Sequence, residues 1–175
     1  MNIKKIFVVG AGFMGSGIVE NTAVKGLNVT AYDISPSQLE KSMHTIDKNL
    51  KKAVEKGKMN ESEKKNALSR ISCTTHISDC KDSDVIIEAV AENKEIKTNI
   101  MKKLESYAKK DAIIASNTSS ISITALGNIF KNPERFVGMH FFSPVPKMPL
   151  MEIVRGYQTS DQALSKAKIL GEFMG

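Results

Sequence analysis

Gly10-Ala11-Gly12-Phe13-Met14-Gly15 is a G-x-G-x-x-G run, and Asp33 follows its last glycine by 18 residues. The run suits a diphosphate. Gly10 makes a tight turn, Gly12 lets a pyrophosphate approach the main chain, and Gly15 lets a following helix pack closely on the preceding strand. Phe13 and Met14 lie inside the run and so beside the same ligand. A helix beginning here offers free N–H donors and the positive end of its dipole to phosphate. Asp33 would accept hydrogen bonds from adenosine ribose hydroxyls and repel a 2′-phosphate, which favours NAD over NADP. The bland alternative is a glycine turn beside an ordinary strand-end aspartate. The strand before the run and the helix after it weigh against that.

A dinucleotide does not name a reaction, so the reacting groups need their own argument. Ser119 and His140 each follow an apolar run that reads as a strand. Histidine titrates near neutrality and can take the proton of an alcohol whose hydride leaves for a nicotinamide. It needs an orienting partner. Glu152 lies twelve residues on, past Pro144, Pro146 and Pro149, whose fixed φ angles and missing N–H groups force a non-helical detour that brings the chain back. A carboxylate on the far ring nitrogen would hold the tautomer of the base. Taken singly, His140 reads equally as a strand-end residue, Glu152 as a surface carboxylate and Ser119 as a helix cap.

The elements that must position these groups alternate along the chain. Ile6–Val9, Val29–Tyr32, Ile71–Thr75, Val85–Ile87, Ala112–Ala115 and Arg135–Met139 are short apolar runs that read as strands, the last delivering His140 at its end. Met14, Ile18, Val19 and Ala23 share a helical face, with Gly26 placed as a left-handed cap. Ser35-Pro36-Ser37-Gln38 is a capping signature. It opens a long helix with a narrow stripe of Leu39, Met43, Ile46, Leu50 and Val54, ended by Gly57. Asn60 and Glu63 cap a shorter helix to about Arg70, giving a hairpin. A helix over 93–109 has Ile96, Ile100, Met101 and Leu104 on one face, and a short one spans 123–130. The alternation predicts an α/β, doubly wound, mostly parallel sheet of the Rossmann type, its strand-to-helix loops along one edge.

The 175 residues are 41% apolar and 25% charged, which fits one compact domain over 1–175 that needs no disulfide or metal staple. Cys73 and Cys80 lack zinc-site spacing and read as reduced thiols, so no metal is implied. No apolar run reaches the ~20 residues of a membrane span. Met1–Gly17 has lysines before an apolar stretch, but its glycines and the lack of a small-residue cleavage site argue against a signal peptide, so the expected location is cytoplasmic. Net charge is +6, and residues 41–65 hold eight lysines against four acids. With no tryptophan in the chain and no aromatic residue in that segment, a phosphate-bearing small molecule is favoured over nucleic acid or a membrane. A solvated helix face is the plain reading of the charge run alone.

Gly10–Gly17, Asp33, Glu88-Ala89-Val90-Ala91-Glu92-Asn93, Ser116-Asn117-Thr118-Ser119-Ser120 and Gly138-Met139-His140-Phe141-Phe142 together resemble the 3-hydroxyacyl-CoA dehydrogenases, in particular the bacterial 3-hydroxybutyryl-CoA dehydrogenases. The likeness runs from residue 3 to about 170. It implies NAD-dependent oxidation of a (3S)-3-hydroxyacyl-CoA, with a short acyl chain, or reduction of acetoacetyl-CoA. It further implies that His140 is the base, Glu152 its paired acid and Ser119 the hydroxyl that holds the C3 oxygen beside the nicotinamide. Glu92 and Lys97 fall where the family contacts the nicotinamide half. The hairpin over 36–70 matches the family's arm over coenzyme A, with Lys56 at a phosphate-pairing position and Asn49 and Ser119 also placed against the substrate.

Two departures stand out. The family usually reads His-Phe-Phe-Asn-Pro, whereas Ser143 occupies the asparagine position here and implies a weaker cofactor contact. Relatives also continue into an all-helical domain that forms the homodimer and adds an active-site asparagine; the resemblance implies that this chain is the cofactor-binding domain without it. Two rivals follow from the same residues: an NAD-binding module without catalysis, and a β-hydroxy acid dehydrogenase that does not use coenzyme A.

Overall fold

A computed structural model of the chain describes residues 3–174. Strand β1 (Lys5–Val9) is apolar from Ile6 to Val9 because both of its faces are covered there. Ile6 and Val8 join one buried cluster with Ile18, Leu39, Ile46 and Leu170. Phe7 and Val9 join another with Met101, Leu104, Leu126 and Phe136. Side chains alternate across a strand, so two helical layers sandwich one sheet.

The remaining elements are α1 (Phe13–Val24), β2 (Asn28–Tyr32), α2 (Pro36–Glu55), α3 (Glu61–Ser69), β3 (Ile71–Thr74), β4 (Val85–Glu88), α4 (Lys94–Tyr107), β5 (Ile113–Ser116), α5 (Ile123–Gly127), β6 (Phe136–Phe141), β7 (Met151–Val154) and α6 (Asp161–Met174). The strand order is β3-β2-β1-β4-β5-β6-β7. Every pairing is parallel except β6 with β7, which is antiparallel. The order reverses direction at β1, where the chain crosses from one half of the sheet to the other, and an open α/β sheet binds its ligand at such a switch point. The doubly wound, mostly parallel sheet expected from the alternation is the fold observed.

The arm is only partly free-standing. Ile46 and Leu50 of α2 and Ala67 of α3 are buried in the core, and Lys64 pairs with Asp47 at 2.8 Å across the hairpin. Residues 51, 52, 56, 57 and 58 at its tip are exposed. Gly57 turns the chain at φ 67°, and Asn60 and Glu63 exchange side-chain and main-chain hydrogen bonds as a capping box. The other expected cap is absent. Ser35 precedes α2 without a side-chain cap, because its hydroxyl meets that of Ser37 at 2.9 Å. Gln38 instead sends its amide to the Ala11 carbonyl at 2.8 Å and ties α2 to the glycine turn.

Other boundaries shift for identifiable reasons. β6 runs through Phe141, so His140 is inside the strand rather than beyond it. The proline stretch contains one 3-10 turn, Val145–Lys147, and then returns as β7, a strand the apolar pattern did not mark. α5 stops at Gly127, short of Phe130. In α4 the buried face passes through Lys97, Met101 and Leu104, while Ile96 is 44% exposed. Among the described residues, no helix is long and apolar enough to cross a membrane.

Candidate active site

The glycine turn is built as its sequence requires. Gly10 has φ 102°, where an L side chain is strained, and a Cβ there would also meet the Ala89 carbonyl oxygen at 2.8 Å. A Cβ on Gly15 would be driven into the Gly10 carbonyl, so only glycine lets α1 pack this close. A Cβ on Gly12 would meet nothing within 4 Å, leaving its face open to a ligand. α1 starts with no side-chain cap and no acid in its first turn. Its leading N–H groups are therefore free to hold an anion. Phe13, next in line, is 78% exposed.

Asp33 stands at the end of β2, half-buried. Its Oδ2 accepts from Ala11 N at 2.9 Å and its Oδ1 from Ser35 N at 3.0 Å. Each oxygen keeps a second lone pair, so the carboxylate both fixes the turn and can accept from ribose hydroxyls. Replacing Asp33 by serine is expected to weaken NADH binding roughly ten- to a hundredfold, the range for losing charge-assisted hydrogen bonds. Preference over NADPH should shrink with it. Fluorescence titration with both nucleotides checks this.

Met14, Glu92, Asn117, Ser119, His140 and Ser143 wall one cleft of about 430 Å³. His140 and Glu152 face each other in the antiparallel register of β6 and β7. The imidazole Nδ1 lies 2.8 Å from Glu152 Oε2. A carboxylate accepts, so Nδ1 donates, and Nε2 is left with its lone pair. Phe142 packs its ring 4.6 Å from the imidazole at 54°. Asn117 Oδ1 accepts from Phe141 N at 2.8 Å and ties the end of β6 to the loop after β5. Ser119 is exposed in that loop, and its hydroxyl has no hydrogen-bond partner among the described residues.

Glu92 organises the loop. Its Oε1 accepts from the Thr118 hydroxyl, from Ser119 N and Ser120 N at 3.2 Å each, and from the Ser120 hydroxyl at 3.0 Å. Its Oε2 meets Lys97 Nζ at 3.2 Å. Burial alone would push the Glu92 carboxyl up, but Thr118, the Lys97 ammonium and Ser120 outweigh it and hold the group down at about 2. A carboxylate depressed in the folded state stabilises that state above its unfolded value, near 4.5, and loses the contribution as pH falls toward 2. The stability gap between the protein and Glu92→Gln should therefore be constant above about pH 5 and close as the pH is lowered, by urea unfolding at each pH.

Lys97 is 1% exposed. Besides Glu92, its ammonium reaches Glu88 Oε1 at 2.7 Å and the Val90 carbonyl at 3.4 Å. It thus bears on the cleft through Glu92 rather than by its own surface. Glu88 is wholly buried; its Oε1 also accepts from Val90 N at 2.8 Å and its Oε2 from the Ser116 hydroxyl at 2.6 Å. The parallel register sets Glu88 directly beside Ser116. Sequence patterning by itself assigns no role to Glu88, Asn117 or Phe142. An acid closing an apolar strand, opposite a serine closing the next one, was the available signal.

Neither Asn49 nor Lys56 lines that cleft. Asn49 is in a second cavity of about 180 Å³ between α1 and α2, which shares Met14 and Ser143 with the cleft. Lys56 follows α2, and about 30 Å of helix separates it from Pro36.

Such a constellation, an uncapped glycine turn at a sheet switch point with a carboxylate-backed histidine beside it, defines an NAD-binding domain. The chain belongs to the 3-hydroxyacyl-CoA dehydrogenase family: residues 5–175 match its NAD-binding domain. A probable 3-hydroxybutyryl-CoA dehydrogenase of Bacillus subtilis is 41% identical over the whole chain, which covers 61% of that protein. The fatty acid oxidation complex subunit alpha of a Psychrobacter strain is 44% identical over 99% of the chain and 24% of its own length. The crystal structure of (S)-3-hydroxybutyryl-CoA dehydrogenase from Ralstonia eutropha superposes with a TM-score of 0.98 at 43% identity, over 99% of this chain and 62% of that one. The chain thus spans about three-fifths of the 3-hydroxybutyryl-CoA dehydrogenases and a quarter of the alpha subunit.

Proposed function

We propose that the chain carries out NAD-dependent oxidation of a short-chain (3S)-3-hydroxyacyl-CoA to the 3-oxoacyl-CoA, and the reverse reduction of acetoacetyl-CoA. One observation carries the reading: the His140 imidazole, backed by Glu152, shares a single cleft with the unpaired Ser119 hydroxyl and adjoins the open glycine turn. The short acyl chain is supported by the 3-hydroxybutyryl-CoA dehydrogenases among the relatives.

In this mechanism the Ser119 hydroxyl donates to the C3 oxygen and holds it against His140. His140 Nε2 takes the hydroxyl proton, and Glu152 steadies the imidazolium that forms. NAD+, when bound, supplies the acceptor for the hydride leaving C3. Gly12 and the first turn of α1 hold its diphosphate, and Asp33 holds the adenosine ribose. Glu92 keeps the Ser119 loop in place, and Ser143 donates one hydrogen bond where a longer amide would reach further. Lys56 and the lysines around it meet the phosphates of coenzyme A as point charges. Two unbridged thiols, exposed Cys73 and buried Cys80, fit the reducing cytoplasm.

The test is an assay of the chain with acetoacetyl-CoA and NADH, followed by NADH absorbance. NADH consumption that depends on acetoacetyl-CoA is expected. Tight NADH binding with no turnover would favour a nucleotide-binding module instead.

A further inference from the structure

Lys97 serves two carboxylates at once. Its ammonium lies 2.7 Å from Glu88 Oε1 and 3.2 Å from Glu92 Oε2, and both Glu88 and Lys97 are buried. Two acids and one cation leave one negative charge. Glu88 sits nearer the ammonium and engages its other oxygen with the Ser116 hydroxyl, so the uncancelled charge falls on Glu92, which lines the cleft. Apart from His140, which Glu152 backs, no other titratable side chain lines that cleft among the described residues. The groups that donate to Glu92 Oε1, from Thr118, Ser119 and Ser120, are all neutral. They fix the carboxylate in place and cancel none of its charge. Glu88 has no part in the catalytic steps above.

A nicotinamide ring is a cation when oxidised and neutral when reduced, so a fixed negative charge in the cleft wall attracts the oxidised form alone. We propose that Glu88 is a positioning residue that biases the site toward the oxidised ring by holding Lys97 away from Glu92. The inference rests on the function proposed above, which puts the ring in this cleft beside Ser119 and His140. Were Glu88 uncharged, the ammonium would belong to Glu92 and the wall would be neutral. The bias also has a direction. Loss of hydride converts the neutral ring to the cation, so a wall that stabilises the cation makes the bound cofactor a stronger hydride donor. For the bound pair this favours reduction of the 3-oxoacyl group over oxidation of the alcohol.

The test is calorimetric titration of the chain with NAD+, with NADH and with ADP-ribose, which lacks the nicotinamide. Glu88→Gln removes the buried charge at nearly constant volume and leaves the ammonium to Glu92. NAD+ should then weaken about fivefold relative to NADH, the size expected of a unit charge acting through partly buried protein. ADP-ribose affinity should stay unchanged, which reports that the variant has folded. Lys97→Met should move the ratio of the two affinities about as far the other way, because Glu88 and Glu92 then act on the ring without a cation between them. Either variant decides alone if the other does not fold. A purely structural role for Glu88 would weaken both nucleotides together and leave their ratio where it was. A ratio that does not move in the folded variants, or that moves the same way in both, overturns the inference alone. An unsubstituted chain that binds neither NAD+ nor NADH overturns the proposed function together with it.

Discussion

Replacing His140 by glutamine is expected to lower kcat for acetoacetyl-CoA reduction roughly 10²- to 10⁴-fold, the usual worth of a positioned general base or acid, while the NADH dissociation constant stays within about twofold of the starting protein. Glutamine fills a similar volume and can still accept from or donate to the cleft, but it cannot carry a proton between substrate and solvent. Glu152→Gln should show a smaller loss of the same kind, because it removes the charge behind Nδ1 and leaves Nε2 in place. Steady-state kinetics and nucleotide titration separate the outcomes. Equal losses in turnover and NADH affinity would remove His140 from the role assigned to it.

The second large effect concerns stability. Lys97→Met leaves the wholly buried Glu88 carboxylate without its cation, and breaking one half of a buried ion pair costs about 3–5 kcal/mol. For a domain of this size that corresponds to a fall in Tm on the order of 10 °C. The double variant Glu88→Gln, Lys97→Met should recover most of the loss, because the glutamine oxygen can still accept from Val90 N and its NH2 can donate to the Ser116 hydroxyl, with no charge to compensate. Urea unfolding of the two variants decides it. A single variant as stable as the parent would mean that the buried pair contributes nothing to the fold. Glu92 loses a counter-ion in the same substitution, so the Ser119 loop should also loosen.

The features legible in the sequence are those whose causes are local. Gly10, Gly12 and Gly15 each answer a need of the main chain within a few residues, and Asn60 with Glu63 closes a cap inside one turn. The sheet followed from alternation, since strands buried on both faces leave unbroken apolar runs. What escaped depends on partners far along the chain. Periodicity counts lysine as polar and turned the face of α4 toward Ile96, whereas Glu88 draws Lys97 inward. Gln38 matched a capping rule but found the Ala11 carbonyl 27 residues away in sequence. β7 alternates between half-buried and exposed residues and has no apolar run to announce it. The resemblance named His140, Glu152 and Ser119 as a set; spacing alone left each with a plainer reading.

Among the described residues β7 is the sheet's only antiparallel strand, and its pairing decides which residue stands behind the imidazole. Gly138 lies opposite Val154 in that pairing, and a Cβ there would meet the Val154 Cβ at 2.8 Å. A hairpin that closed one residue out of step would keep its ladder of main-chain bonds but send the glutamate to the far side of the sheet. The product would be an intact-looking, catalytically silent isomer, invisible to bulk measures of secondary structure. Folding fidelity at this hairpin would therefore set what fraction of molecules carries the His140–Glu152 pair, and active-site titration rather than protein concentration would be the proper denominator for any turnover measured.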